Sequence, residues 1–599
     1  MKMSSPVKRR NRVPLACKPC RARRVRSTII VDDRSLLMRL SEAEMKLAAL
    51  SQKFEHGTTT SRAPQITNIP STSLCSTNEQ SGPGREDHSL YDYAQPDSPP
   101  ISVSIAEDVV KESFGRLTVL ESGAQRYHGN MSSRLCESSP ELEILSVPVW
   151  SLKGESKRMD IHSDVIRNII VKFLPPRTIT DILVYRYYAV NEWARFELHQ
   201  TFLAEYNQFW ETLEASPFWI ALLLAVISVS LRAYPREDHP DIVALHASLG
   251  YDRLSYRLEV QQAIADCLHY GRFMDNYDLD VVRTLVLNQK NADIITPSMV
   301  VSSIGLLITM AQSLGLHRNP EILGFTGYEA EYRKRLWQVI FSYDSIGAWH
   351  SGQPLHINHD DMDCPLPTYN IEYDGENREW LEFCVTLGKL LLLDPYLYKA
   401  LFSRKKVSYS RILELDAELQ KWDTERPTWL RLDGSEKDPY KMWRQIVLEG
   451  AFTRLCLCLH LPYIRRSGFE ASQILCRDIA QRAMRMLCVF DQNERQLEWF
   501  RWMGQIWMMT VPLISTLVVA TDLVAKASKD AESWALVDQT HEVLRRLPEF
   551  RDNKQATVAI EVIERIRVDR LLSTDVLGQL DPFAGFEPVF GWDWLQGSP

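Results

Sequence analysis

From residue 161 to about 570, apolar positions recur at helical spacing and are punctuated by cap and stop residues. In TPSMVVSSIGLLITMAQSLGL (296–316), Thr296 is a predicted N-cap and Pro297 takes the first helical position. Val300, Ile304, Leu307, Ala311 and Leu314 form one stripe, and Gly315 supplies the stop. Thr326 and Glu329 have the spacing of a capping box and open the next helix. Its apolar face carries Leu336, Ile340 and Tyr343. The segment 350–370, with Pro354, Pro365 and Pro367, reads as mostly loop. FWIALLLAVISVSL (218–231) and IWMMTVPLISTLVVA (506–520, with Pro512) fall short of the ~20 apolar residues that a membrane span needs, so both read as buried core helices. Repeated period-two strands and internal repeats are not found in the pattern. The expected fold class is all-α, divided here into 161–475 and a C-terminal helical part of the same body, 476–572.

Ahead of the body the pattern changes twice. Leu36, Leu40, Ala43, Leu47, Leu50 and Phe54 are spaced as an a/d seam with Glu42, Glu44, Lys46 and Lys53 between them. Residues 28–55 thus read either as a short dimerising coiled coil or as an amphipathic helix docked elsewhere. Residues 56–160 are rich in Ser, Thr, Pro and Gly and read as a disordered linker, because such segments cannot bury enough apolar surface to offset chain entropy. The tail, 573–599, sets Phe583, Phe586, Phe590, Trp592 and Trp594 among Asp581, Glu587 and Asp593. Acidic residues keep aromatics available in water, so this tail reads as a disordered segment offered to a partner or as one packed back on the body.

Charge sharpens the division. The net charge of −8 by itself suggests no polyanionic partner, but residues 1–26 hold ten Lys and Arg and no acid. That leaves 59 Lys and Arg against 77 Asp and Glu, about −18, for the remainder. A basic head on an acidic body is the footprint of nucleic-acid binding. Eleven scattered cysteines and no apolar leader segment point to a reducing, intracellular setting.

Catalytic chemistry finds no support in the motifs. Phosphate-binding glycine loops, a G-x-S-x-G elbow and H-E-x-x-H are not found. His359, Asp360, Asp361 and Asp363 resemble a carboxylate metal site, but Cys364 and Pro365 follow at once and no second metal motif accompanies them. Cys456 and Cys458 read as small hydrophobes, and His460 as a satisfied core histidine. We read Arg333, Lys334 and Arg335 as a solvated helix face, and Asp344, Trp349 and His350 as packing. An enzyme is not expected.

Chemistry concentrates in the head, 1–27. Cys17 and Cys20 have the C-x2-C spacing that presents two thiolates to one zinc ion, although a lone pair of this spacing is a weak signal that often arises by chance. RRNRVPLACKPCRARRVRS (9–27) resembles the opening of the fungal binuclear zinc-cluster (Zn2Cys6) transcription factors, with Cys17, Cys20, Arg21, Arg23 and Arg26 on the pattern. The resemblance extends to residues 174–210, 311–319, 331–367 and 457–464, which look like the family's helical middle homology domain. It implies zinc on the cysteines and base contacts from Arg24, whose fork suits the O6 and N7 edge of guanine in a CGG-containing duplex. Arg21, Arg23 and Arg26 would then meet phosphate. Lys18, Arg9, Arg10 and Arg12 complete the DNA-binding stretch, and VKRRNR (7–12) also fits a nuclear import signal.

One departure matters. The family's third cysteine position is Ser27, and no cysteine follows until Cys75. As it stands the head holds an incomplete cluster, through either an internal segment missing from the reading frame or a degenerate head. The resemblance implies a nuclear, DNA-binding regulator of RNA polymerase II genes, controlling a metabolic or secondary-metabolite gene set and pairing as a homodimer or heterodimer without membrane association. The alternative is a modulator that no longer binds DNA and dimerises with an intact relative.

Overall fold

The computed structural model describes residues 116–119, 125–128, 163–295, 297–351, 353–402, 407–464, 466–507, 510–547 and 554–572. The basic head, the coiled-coil segment, most of the linker and the tail 573–599 lie outside these residues, as does the N-cap expected at Thr296.

The chain is helical throughout the body, as the apolar periodicity requires. Helices α1 (Ser163–Phe173), α2 (Arg177–Val190), α3 (Ala194–Glu197), α4 (Phe202–Thr212) and α5 (Pro217–Arg232) open it. Next come α6 (Pro240–Leu249), α7 (Arg253–Tyr270), α8 (Leu279–Gln289), α9 (Pro297–Ser313) and α10 (Gly327–Ser351). The one-turn α11 (Ile371–Asp374) leads to α12 (Arg378–Leu391), α13 (Asp394–Phe402), α14 (Tyr409–Glu425) and α15 (Pro439–His460). Helices α16 (Glu470–Gln492), α17 (Arg501–Trp507), α18 (Thr510–Ala525), α19 (Ala531–Arg546) and α20 (Lys554–Leu572) follow. Helix α16 runs through the 475/476 division, so that position is no structural boundary.

The two apolar stretches weighed as membrane spans are core. Helix α5 starts with Pro217 behind a Ser216 cap, whose Oγ accepts from Trp219 N at 3.1 Å, and is buried from Pro217 to Leu231. It lies against α7, α8 and α2. In α18, Leu517, Val518, Val519 and Ala520 are fully buried between α16 and α20. Helix α15 with its following turn (Pro439–Tyr463) is also long and apolar enough to cross a membrane, and 83% of its most apolar stretch is buried within the body.

Helix α9 follows its pattern. Ile304, Leu307, Ala311 and Leu314 are buried, and Gly315 adopts a φ of +74°, the left-handed turn that ends the helix. Helix α10 buries Leu336 and Ile340 and crosses close to α9, because a Cβ on Gly347 would stand 2.6 Å from Ile304.

The expectation of a linker without elements over 56–160 needs correction at one place. Arg116–Val119 (β1) pairs antiparallel with Gln125–His128 (β2), in the register Arg116 to His128. Four-residue strands carry too little alternation to stand out in a polar segment. Their partner is tertiary: Tyr127 meets the His317 ring edge-on at 4.9 Å, and Leu117 Cδ1 lies 3.3 Å from the position a Cβ on Gly315 would take.

Candidate functional site

The residues expected to touch DNA or zinc (Arg9, Arg10, Arg12, Cys17, Lys18, Cys20, Arg21, Arg23, Arg24 and Arg26) lie outside the described residues. The donor set tests the zinc expectation. Two thiolates and a hydroxyl at Ser27 fall short of one tetrahedral zinc site, let alone a two-metal cluster. Among the described residues no group of three or more His, Cys, Asp or Glu could hold a metal ion, and the seven cysteines there are free thiols. The zinc cluster therefore does not fit this donor set as it stands.

Within the body, the best-marked segment is α10 and the proline-rich loop behind it. The reading of Arg333, Lys334 and Arg335 as a solvated face is overturned: the residues are 1%, 7% and 1% exposed. Arg335 pairs with Asp374 through two bonds of 2.8 and 3.0 Å and with Glu331 at 3.2 Å. Glu331 in turn accepts from the Thr368 N–H at 2.8 Å, and Asp374 from the Asn370 N–H at 3.0 Å. This arginine thus pins the Pro-Leu-Pro loop to the helix. Arg333 donates to Glu329, to the Leu314 carbonyl at the end of α9 and to Gln125 of the hairpin, with Phe325 under its guanidinium at 3.7 Å. Lys334 reaches Glu321 at 2.5 Å. A buried charge needs partners on every side, and here they arrive from four separate segments.

The same logic places Asp344 and Trp349, both buried, in packing roles. Asp344 accepts from the N–H groups of His356 and Ile357, closing the loop from its other end, while Trp349 donates to Asp394 at 2.5 Å. Burial pushes the Asp394 carboxyl up to about 6, against the pull of Arg454. Of the acids in the 359–363 loop, Asp363 pairs with Arg318 at 3.1 Å and Asp361 accepts from Asn358. His460 is 1% exposed, with Nδ1 2.8 Å from Ser472 Oγ and Nε2 3.1 Å from Asp416. Burial raises the Cys456 and Cys458 thiols, the latter to about 12, as befits small hydrophobes.

One site escaped the sequence altogether. Glu197, fully buried on α3, receives Lys290 at 2.6 Å, the Tyr187 hydroxyl at 2.5 Å and Asn191 Nδ2 at 2.7 Å. Burial holds Lys290 below the usual lysine range despite Glu197. Lys290 also donates to Asn191, 99 residues away, so no local spacing announces the site.

Residues 190–422 match the fungal specific transcription factor domain. This domain contains α3 to α13, the Glu197–Lys290 pair and the Arg335–Asp374 joint. Among curated proteins, the chain is 24% identical over 418 residues to the Zn(2)-C6 fungal-type transcription factor mpsB of Macrophomina phaseolina, covering 63% of this chain and 55% of that one. It is 25% identical over 348 residues to an uncharacterized transcriptional regulatory protein of Schizosaccharomyces pombe, covering 55% and 54%. The equisetin cluster transcription factor eqxF of Fusarium heterosporum is 24% identical over 324 residues, covering 49% and 46%. The chain spans about half the length of the curated relatives it matches. The domain and the relatives are transcription factors and not enzymes, in line with the missing catalytic motifs.

Proposed function

We propose that the chain is a nuclear transcriptional regulator that binds DNA in a sequence-dependent way through residues 8–26. The observation that supports this most is the pairing of an acid-free head, ten cations in 26 residues, with a body matching the fungal transcription factor domain. Arg24 reads guanine edges in a CGG-containing duplex, and its neighbours neutralise phosphates. Residues 36–54 pair two chains, and the acidic-aromatic tail contacts the transcription machinery. Because relatives include a regulator named for the equisetin cluster, the target class is a metabolic or secondary-metabolite gene set. The test is competition between a CGG-containing duplex and a scrambled duplex of equal length for the purified full chain. A clear preference for the first is expected; equal affinity for both overturns the reading.

Ser27 favours a second reading, a modulator that dimerises with an intact zinc-cluster relative and leaves DNA contact to it. Metal content separates the two. About two zinc ions per chain support the first reading, and none supports the second.

A further inference from the structure

We infer that the β1–β2 hairpin is a detachable latch: the corner where α9 meets α10 is a docking surface for this segment of the chain's own linker, and proton uptake at His317 releases it. Docked, the latch roots the chain ahead of Arg116 on that corner; released, the root moves to α1. The latch works whether or not the basic head binds DNA.

The strand register sets Leu117 opposite Tyr127, and Gln125 stands two residues before Tyr127, so the three share one face of the hairpin. All three meet the body. Leu117 Cδ1 and Tyr127 Cβ lie 3.3 and 3.5 Å from the position a Cβ on Gly315 would take. Gly315 thus serves twice, for its positive φ and for the bare backbone on which the hairpin rests. Gln125 Oε1 accepts from Arg333 Nη2. The Tyr127 ring meets the His317 imidazole edge-on at 4.9 Å, and Trp337 of α10 lies 6.1 Å from the same imidazole.

Two features make this contact releasable. Two short strands are marginal on their own, so the hairpin unfolds as it leaves, and little of the body goes with it. Arg333 keeps Glu329 and the Leu314 carbonyl once Gln125 is gone, while Leu314, Leu316 and Leu336 stay in the body's own core. The second feature is His317, 8% exposed, whose Nδ1 is buried without a hydrogen-bond partner. An imidazolium donates from both nitrogens, so protonating the docked ring strands a buried N–H. The charges that act on the ring are Arg318, itself paired with Asp363 at 3.1 Å, and Asp361. The hairpin and α10 set the rings of Tyr127 and Trp337 against it. Burial, with Arg318 adding to it, holds the docked imidazole at about 4, below the ordinary 6.5. With Tyr127 gone and water at the ring, the value moves back toward 6.5. Docking and proton uptake therefore oppose each other: the docking constant is level above pH 6.5 and falls by up to roughly tenfold per unit from there toward 4.

The experiment is hydrogen exchange of the full chain read by mass spectrometry. It follows the strand amides of 116–119 and 125–128 together with the slow C2 hydrogen of His317, whose exchange reports the pKa of the ring. Expected are protected strands at about pH 7.5 and a loss of that protection approaching roughly tenfold per unit below pH 6.5, while the core helix α5 stays protected. Leu117→Asp, a change outside the body, should unprotect the strands and lift the His317 pKa by about one unit or more. His317→Gln should hold the strands protected down to about pH 5. Strands that exchange freely at about pH 7.5, protection that stays level from 6.5 to about 5, or a His317 pKa still near 4 in Leu117→Asp each overturn the latch. Should His317→Gln fail to fold, Leu117→Asp decides alone.

Discussion

Two runs of basic residues in this chain have similar composition and opposite settings. RARRVR (21–26) stands in a stretch with no acid, whereas Arg333–Arg335 stands between Glu329, Glu331 and the distant Asp374. The second run is swallowed by the fold because each cation meets carboxylates or carbonyls from other segments. The first has no acid among residues 1–26, which supports the proposal that the partner balancing it comes from outside the chain. Local acid content, more than the number of cations, distinguishes the two runs in the sequence.

Replacing a cation in each run breaks the comparison most directly. Arg335→Met strands Asp374 and Glu331 in the interior and should cost about 3–5 kcal/mol of stability in urea unfolding. A loss under about 1 kcal/mol would return this residue to the surface class. His317, beside the buried run and against Tyr127, sharpens the point through pH. Burial, with Arg318 adding to it, lowers its pKa from 6.5 to about 4. Between these values the unfolded chain holds more protons, so stability falls as pH drops from 6.5 toward 4, by up to roughly 1.4 kcal/mol per pH unit. His317→Gln should remove that component of the acid slope; an unchanged slope contradicts it. Arg24→Ala should act in reverse to Arg335→Met, costing about 1–3 kcal/mol of duplex binding and leaving the unfolding midpoint in place. The smallest effect is expected for Arg21→Gln, a uniform weakening across duplex sequences with the salt slope reduced by about 0.9.

The sequence carried the body's class well, and the reasons are local. Val300 to Leu314 repeats at helical spacing and ends in a glycine whose φ is positive, so both the helix and its stop are written within twenty residues. The buried fate of Arg333–Arg335 is not local: Asp374 lies 39 residues from Arg335, and Gln125 lies 208 from Arg333. A one-dimensional pattern sees three cations on an amphipathic helix and assigns them to water. The hairpin 116–128 escaped for a similar reason, since its strands owe their place to Gly315, His317 and Arg333 more than to their own alternation. The residues proposed to contact DNA lie outside the described residues, so they rest on the sequence alone.

We propose that the acid-free head engages a polyanion. This proposal is tested most directly by the salt dependence of binding between the full chain and a CGG-containing duplex, with and without Arg21, Arg23, Arg24 and Arg26 changed together to Gln. A steep fall of affinity with salt is expected in the unaltered chain, and a slope shallower by about 2.7 in the variant, near 0.9 for each of three lost phosphate contacts. A slope that is flat in both, or equally steep in both, contradicts it.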